Sequence, residues 1–150
     1  MKRQPAYLLK MIFQKPQPPK SLNEKDIGIF GEKIAVDYLK RNGYKILERN
    51  FRNRWGEIDI VAKKKRTLVF VEVKTSNRSS SAGNNNSFHP EDRINWKKKK
   101  QLLKMAEIYL SKNQIPFDTP HEIDIIGVEI NGNKKIEKIS HYKNAIEDDY

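Results

Sequence analysis

Residues 56–74 have the sequence GEIDIVAKKKRTLVFVEVK, in which two apolar, β-branched runs flank a short basic segment. This pattern predicts a β-hairpin. If residues 64–67 form its loop, counting back along both strands places Asp59 opposite Glu72. Directly opposed residues share a face of the sheet, with Cβ atoms about 4.5–5.5 Å apart. The hairpin therefore predicts two adjacent carboxylates.

The same register pairs Lys63 with Leu68, and side-chain alternation places Lys74 on the face of Glu72. Opposed like charges repel, and a divalent cation would relieve the repulsion between Asp59 and Glu72. A neighbouring lysine can orient water or stabilise a phosphoryl oxygen. These residues indicate metal-assisted phosphodiester hydrolysis. The alternative is a half-solvated hairpin with ordinary surface charges, and a one-residue slip of register would undo the pairing.

The composition indicates a small domain with an anionic partner. The 150-residue chain is expected to form one domain over residues 21–150, preceded by a flexible basic arm over residues 1–20. Lysine and arginine number 30 against 19 aspartates and glutamates, a formal net charge of +11. This charge favours nucleic acid as a partner, although an acidic membrane surface could also attract it.

Several kinds of site are excluded or disfavoured. The chain has no cysteine, which excludes disulfides and thiolate metal sites and fits a reducing compartment such as the cytoplasm. No apolar run approaches the length of about 18 residues that a transmembrane helix needs. His89, His121 and His141 are too far apart for zinc-ligand spacing, so each is expected at the surface.

A first helix is predicted to start at the capping box formed by Ser21 and Glu24 and to end before Gly43. Glu32 falls at the edge of its apolar stripe, where a carboxylate can reach a neighbouring cleft. A solvated glutamate is the alternative. A first strand is predicted from Tyr44 to Asn50.

A basic and aromatic segment follows this strand. Arg52 and Arg54 are suited to phosphate contact beside an aromatic residue. Trp55 is suited either to base stacking or to a place in the core, and the core is favoured.

A polar loop and a lysine-rich helix come after the hairpin. Residues 75–86 are almost wholly Ser, Asn, Gly and Thr, and they predict a long loop that could close over the carboxylates. A helix is expected from residue 95 or 96 to Lys112, with Lys98 and Lys99 turned toward the sheet. Its first turns carry four lysines: Lys97, Lys98, Lys99 and Lys100. Positive charge there opposes the helix dipole. Bound phosphate would compensate that charge, and a solvated basic face is the alternative.

The remaining segments complete a mixed sheet. Strands are predicted over residues 122–130 and 134–142, joined by a turn at Asn131-Gly132-Asn133. The order is then helix, three strands, helix and two strands, which predicts an α/β fold with helices packed on a sheet of about five strands.

The ordered motifs resemble a known nuclease pattern. An Asp on the second strand and Glu-x-Lys on the third resemble the PD-(D/E)XK nuclease superfamily. A longer set of motifs resembles the YraN-type family, which is related in fold to Holliday-junction-resolvase-like nucleases. That set comprises Gly31-Glu32, Ala35, Tyr38-Leu39, Gly43-Tyr44, Asn50, Gly56-Glu57-Ile58-Asp59, Val71-Glu72-Val73-Lys74, Phe88, Pro90-Glu91, Lys98, Ala106, Tyr109-Leu110 and Ile123-Asp124-Ile125-Ile126.

The resemblance implies a restriction-endonuclease-like core that carries a metal-dependent site. Asp59 and Glu72 would hold Mg²⁺ or Mn²⁺ with the Val73 carbonyl, Lys74 would position water, and Glu32 would complete the site. The chain departs from the superfamily pattern at Ile58, where the signature has proline, and in the length of the loop after Lys74.

Three hypotheses follow from the sequence. The first is a divalent-metal-dependent nuclease acting on DNA, with branched or structured DNA among its substrates. The second is a non-catalytic nucleic-acid-binding module on the same fold, and the third is an assembly protein. A homodimer is expected only by analogy with resolvases.

Overall fold

The computed structural model describes residues 23–78 and 94–147, together with the single positions 16 and 18. The predicted flexible arm lies almost wholly outside these residues, as do residues 79–93 of the predicted loop. The described elements are α1 (Glu24–Arg41), β1 (Lys45–Asn53), β2 (Gly56–Lys64), β3 (Thr67–Arg78), α2 (Trp96–Lys112), β4 (His121–Asn131) and β5 (Ile136–Tyr142). The predicted order of elements is confirmed.

The strands form one sheet in the order β1-β2-β3-β4-β5. Strands β3 and β4 are parallel, and the other neighbours are antiparallel. A parallel pair needs a crossover connection, and α2 lies within that connection. The β2–β3 ladder pairs Lys63 with Leu68, as predicted, and continues to Lys64 and Thr67, which the sequence had assigned to the loop.

The two helices cover opposite faces of the sheet. On one face Leu68 and Phe70 pack with Met105 of α2. On the other face Val69 and Val71 pack in a cluster with the apolar stripe of α1. The alternation predicted for β3 therefore separates two apolar cores, as expected for a strand covered on both sides.

The first helix begins later than the sequence predicted. Its N-cap is Asn23, whose Oδ1 accepts a hydrogen bond from the Asp26 N–H at 2.8 Å. The capping box predicted at Ser21 was therefore wrong, because Asn23 supplies the capping oxygen. At the other end Gly43 has φ +82°, the left-handed conformation predicted for the helix stop.

Strands β1 and β3 each extend several residues beyond their predicted ends. Strand β1 continues to Asn53, which pairs with Gly56 at the start of β2. Strand β3 continues to Arg78, which pairs with Asn131 of β4. Residues 75–78 therefore belong to a strand and not to the predicted loop, because pairing with β4 stabilises a polar segment that has little strand propensity of its own.

The side chains of β2 do not alternate regularly between the two faces of the sheet near Asp59. Ile58 and Val61 lie in the same core cluster although they are three positions apart, while Ile60 lies in the other cluster. Asn50, which lies on β1 between the partners of Ile60 and Ile58, has φ +54°. Strict alternation is therefore broken at Asn50 and Asp59, where the strands kink.

Candidate active site

Asp59 lies one position beyond the pair formed by Ile60 and Val71 in the β2–β3 ladder. Its side chain is buried, with 8% of the residue exposed. The carboxylate Oδ2 accepts a hydrogen bond from the main-chain N–H of Val73 at 2.7 Å. This bond fixes Asp59 against β3, next to the residue that precedes Val73, Glu72.

Glu72 is the second buried carboxylate, with 4% of the residue exposed. Its Oε1 lies 3.2 Å from Lys74 Nζ and 3.1 Å from Lys98 Nζ. The other oxygen, Oε2, is buried and has no hydrogen-bond partner among the described residues. A buried carboxylate oxygen without a partner is costly unless a further group satisfies it.

The electrostatics of the pair show the cost of placing these charges together. Burial, followed by the charge of Glu72, raises the pKa of Asp59 to about 7. The hydrogen bond from Val73 acts in the opposite direction, because it stabilises the charged form. Asp59 is thus held as a carboxyl group whose ionised form is disfavoured unless positive charge lies near it.

The donor set fits a hard divalent cation. Asp59 and Glu72 offer carboxylate oxygens, which Mg²⁺ and Mn²⁺ prefer, and Glu72 Oε2 lacks a partner. Within residues 23–78 and 94–147, no three His, Cys, Asp or Glu side chains group together to hold a metal ion. Among the described residues, Asp59 and Glu72 are thus the carboxylates that we consider as ligands at this site.

Comparisons with known proteins identify the family. The model of "Uncharacterised protein family UPF0102" matches residues 31–128. The chain belongs to the UPF0102 family. A UPF0102 protein of Caldanaerobacter subterraneus subsp. tengcongensis is 41% identical over 127 residues, covering 84% of this chain and 98% of that protein. One of Clostridium botulinum is 43% identical over 123 residues, covering 82% of this chain and 95% of that protein.

A solved structure was also matched, that of Pyrococcus furiosus SfsA in complex with Ca²⁺. The match has a TM-score of 0.31 at 14% identity, and it covers 79% of this chain and 61% of that chain.

The family membership confirms the YraN-type resemblance, and the UPF0102 match contains Glu32, Asp59, Glu72 and Lys74. The mixed five-stranded sheet with its two flanking helices is a restriction-endonuclease-like core, as the resemblance implied. No helix within the described ranges is long and apolar enough to cross a membrane.

Glu32, on α1, lies near the carboxylate pair without joining it. Its Oε2 is 4.0 Å from Arg49 Nη2, and its side chain is hydrogen-bonded to Asn50. Burial raises the pKa of Glu32, and its charge contributes to the raised pKa of Asp59. Glu32 therefore affects the pKa of Asp59, while its own side chain contacts Arg49 and Asn50 of β1.

Close packing of α1 on the sheet sets the position of Glu32. At Gly31 an added Cβ would overlap the hydroxyl of Thr75 and lie 2.9 Å from the Thr75 Cβ. Only glycine permits this approach, so α1 presents the next residue, Glu32, at the edge of the sheet.

The predicted arginines lie at the end of β1 and in the turn that follows it. Arg52 Nε lies 2.8 Å from Glu57 Oε2, and Arg54 lies 4.9 Å from the ring centroid of Trp55. Trp55 is 47% exposed, so its assignment to the core was wrong. The main-chain N–H of Trp55 donates a hydrogen bond to Asn53 Oδ1 at 2.7 Å. This bond closes a tight turn that directs the indole ring outward.

The lysines of α2 are divided between the site and the surface. Lys98 is turned toward the sheet, as predicted, and contacts Glu72. Lys97, Lys99 and Lys100 are exposed, so the inward orientation predicted for Lys99 was wrong. The first turn of α2 contains no acidic residue, so these charges are opposed to the helix dipole as the sequence indicated.

Some residues near the site were missed by sequence reasoning. Glu57 contributes to the raised pKa of Asp59 and pairs with Arg52. Its position two residues before Asp59 could have indicated that both carboxylates lie on the same face of β2. Alternation alone could not show which residues surround it. The Gln101 side chain donates to the Trp55 carbonyl at 2.9 Å, a contact that the sequence does not predict.

A buried histidine corrects the surface assignment. His141 Nε2 lies 2.6 Å from Asp124 Oδ2, and both side chains are buried. The rings of Tyr38 and Tyr44 pack against the imidazole. Pairing of β5 with β4 covers this histidine, while His121 is exposed as predicted and His89 lies outside the described residues.

Proposed function

We propose that this chain is a metal-dependent nuclease that hydrolyses phosphodiester bonds in DNA, with branched or structured DNA among its substrates. The observation that carries the proposal is the burial of Asp59 beside Glu72, with Lys74 and Lys98 both on Glu72 Oε1. A purely structural carboxylate pair would gain nothing from its mutual repulsion, whereas a cation site requires concentrated negative charge.

Each residue has a distinct role in this proposal. Asp59 and Glu72 would hold the cation with the Val73 carbonyl, and the hydrogen bond from the Val73 main-chain N–H to Asp59 ties the two strands together. A bound Mg²⁺ or Mn²⁺ would lower the pKa of a water molecule and neutralise charge on the phosphoryl group. Lys74 orients the attacking water or stabilises the phosphoryl oxygen.

Lys98 adds a second positively charged side chain at the same oxygen of Glu72. It reaches Glu72 from α2, whereas Lys74 reaches it along β3. Lys98 thus links the carboxylates to the exposed lysines of α2, Lys97, Lys99 and Lys100, which would bind the phosphates that flank the cleaved bond. The net charge of +11 favours the same polyanionic substrate.

The second candidate is a non-catalytic nucleic-acid-binding module. It is favoured by the pairing of Glu32 with Arg49 at 4.0 Å and by the absence, within the described residues, of a group of three metal-binding side chains. Both candidates predict DNA binding, and only the first predicts metal-dependent cleavage.

The test combines metal titration with a cleavage panel. Calorimetry with Mg²⁺ and Mn²⁺ is run beside cleavage of single-stranded, duplex, flap and four-way-junction DNA. Asp59→Asn and Glu72→Gln should weaken metal binding and abolish cleavage, because each removes an anionic ligand. Lys74→Ala should still bind metal while its turnover falls, since lysine acts on water or phosphate and not on the ion.

The matched control is Glu107→Gln, which removes one carboxylate charge from the exposed surface of α2. This variant should bind metal and cleave DNA as the unaltered chain does. Unchanged metal affinity in both Asp59→Asn and Glu72→Gln would reject the site. Metal binding without cleavage of any substrate would favour the second candidate.

A further inference from the structure

Two tryptophans are exposed, one in the β1–β2 turn and one at the start of α2. Trp55 is 47% exposed and Trp96 is 67% exposed. Trp96 occupies the first position of α2, and Trp55 lies in the β1–β2 turn. Large exposed aromatic side chains indicate a binding surface, because they forgo the stabilisation that burial would give.

Each indole is accompanied by cations. Lys104 Nζ lies 3.5 Å from the ring centroid of Trp55, and Arg54 lies 4.9 Å from it. Lys100 Nζ lies 3.6 Å from the ring centroid of Trp96. We name these five residues, Arg54, Trp55, Trp96, Lys100 and Lys104, the stacking patch. Its alternation of flat apolar rings with mobile cations matches the alternation of bases and phosphates in a nucleic acid strand.

The patch is held in place by contacts between the turn and the helix. Gln101 Nε2 donates to the Trp55 carbonyl at 2.9 Å. At Gly56, which has φ +151°, an added Cβ would lie 2.5 Å from the same Gln101 Nε2. The turn therefore packs directly on α2, and Trp55 is anchored through its main chain while its ring remains exposed.

A shallow depression lies between the β1–β2 turn and α2, beside the Trp55 end of the patch. Its lining includes Arg54, Trp55, Lys98 and Gln101. Lys98, at one side of this depression, is the lysine that contacts Glu72 Oε1 at 3.1 Å. A nucleotide bound on Trp55 would thus lie one side chain away from the candidate cleavage site.

We propose that the stacking patch binds unpaired nucleotides, with bases stacked on Trp55 and Trp96 and phosphates paired with Arg54, Lys100 and Lys104. Bases in a duplex are already stacked on their neighbours, so only unpaired bases gain from the indoles. For cleavage, this inference rests on the proposed function and narrows its substrate to DNA that has a single-stranded segment beside the cut bond. For binding, it stands on the patch alone.

The test uses the fact that both tryptophans of the chain lie in the patch, so fluorescence excited at a wavelength that tryptophan absorbs and tyrosine does not reports on the patch. Titration in EDTA with a duplex that carries a thymidine overhang should quench this fluorescence, while a blunt duplex should not. Affinity is then compared with the same overhang made of abasic residues, which keeps every phosphate. The abasic overhang should bind at least about fivefold more weakly for each stacked base that it lacks.

Variants separate stacking from charge. Trp55→Ala and Trp96→Ala should each weaken binding of the thymidine overhang by about fivefold or more, with little effect on the abasic overhang. Phe117→Ala is the matched control, because Phe117 is also aromatic and exposed but lies outside the patch. It should bind both overhangs as the unaltered chain does.

The outcomes distinguish this inference from the proposed nuclease activity. Equal affinity for thymidine and abasic overhangs in the unaltered chain, or unchanged fluorescence at saturation, would overturn the patch even if cleavage is observed. Base-dependent binding that disappears in Trp55→Ala and Trp96→Ala would support the patch even if no DNA is cleaved.

Discussion

Burying Asp59 beside Glu72 costs stability in the metal-free chain. The carboxyl group of Asp59 has a pKa raised from 3.8 to about 7 by burial and by the charge of Glu72. Well below about pH 4 the Asp59 carboxyl group is protonated in both the folded and the unfolded chain. As the pH rises, the unfolded chain loses its proton first, so stability is lost between about pH 4 and 7 and stays lower above pH 7.

Asp59→Asn should therefore stabilise the metal-free fold at high pH. The amide oxygen can keep the hydrogen bond from Val73, and the charge is gone. We expect a gain of about 1–3 kcal/mol in the free energy of unfolding at pH 8, which shrinks toward zero near pH 4. Urea unfolding from pH 4 to pH 9 in EDTA measures this difference.

Glu107→Gln again serves as the control, and its stability should follow that of the unaltered chain at each pH. Added Mg²⁺ should raise the stability of the unaltered chain and leave Asp59→Asn nearly unchanged, because ligand binding to the folded state shifts unfolding. A gain in Asp59→Asn that is independent of pH would contradict this account.

At the level of single residues, the sequence predicts contacts that follow from strand period and misses those that depend on distant segments. Counting along the hairpin is enough to bring Asp59 to Glu72, because the predicted pairing register holds from Lys63 and Leu68 to the neighbouring pair, Ile60 and Val71. The burial of His141 against Asp124 could not be predicted in this way, since it requires the pairing of β5 with β4. Trp55 was misassigned because apolar character alone does not show that a turn directs it outward.

At the scale of elements, helix α1 packs tightly against strand β3 near the site, where Gly31 faces Thr75. Gly31→Ala should force the helix away from Thr75, because a β-branched side chain on a paired strand cannot move aside easily. We expect a loss of about 1–3 kcal/mol in stability, as for an overpacked core. Thermal or urea unfolding measures this loss.

Gly28→Ala is the matched control on the same helix, because an added Cβ there meets no atom within 4 Å. It should be neutral or slightly stabilising, since alanine favours the helix by up to about 1 kcal/mol over glycine. Equal stability of the two variants would contradict the close approach of α1 at Gly31.

The boundaries of the helices and strands were harder to predict than their order. Hydrophobic period located every described helix and strand. The ends of β1 and β3 depend on partner strands, which extend the ladder through Asn53 and Arg78. The kink at Asn50 likewise arises where two strands meet, and no local pattern in β1 alone specifies it.

Over the whole molecule, the described residues carry more than one basic group. Lys97, Lys99 and Lys100 are exposed on α2, and a second basic run occupies residues 63–66 at the β2–β3 turn. The net charge of +11 predicted a polyanionic partner from composition alone, but composition could not place that partner on the molecule. Of the two groups, the lysines of α2 lie next to Lys98, which contacts the buried carboxylate Glu72.

The resulting prediction concerns the dependence of DNA binding on salt. If exposed lysines of α2 pair with phosphates, the affinity for duplex DNA should fall linearly with salt on logarithmic axes. Replacing Lys97, Lys99 and Lys100 with alanine should lower the slope by up to about 0.9 for each lysine–phosphate pair removed.

The control variant replaces Lys45, Lys135 and Lys138, which are exposed elsewhere on the molecule, so its net charge changes equally and its slope should stay near that of the unaltered chain. Anisotropy titrations in EDTA from 50 to 200 mM salt, roughly the range over which such pairing weakens steeply, compare the three slopes. Equal reductions in both variants would show that only net charge matters and that DNA does not follow α2. A flat salt dependence in the unaltered chain would reject phosphate binding, because release of counterions from DNA is unavoidable when lysines pair with its backbone.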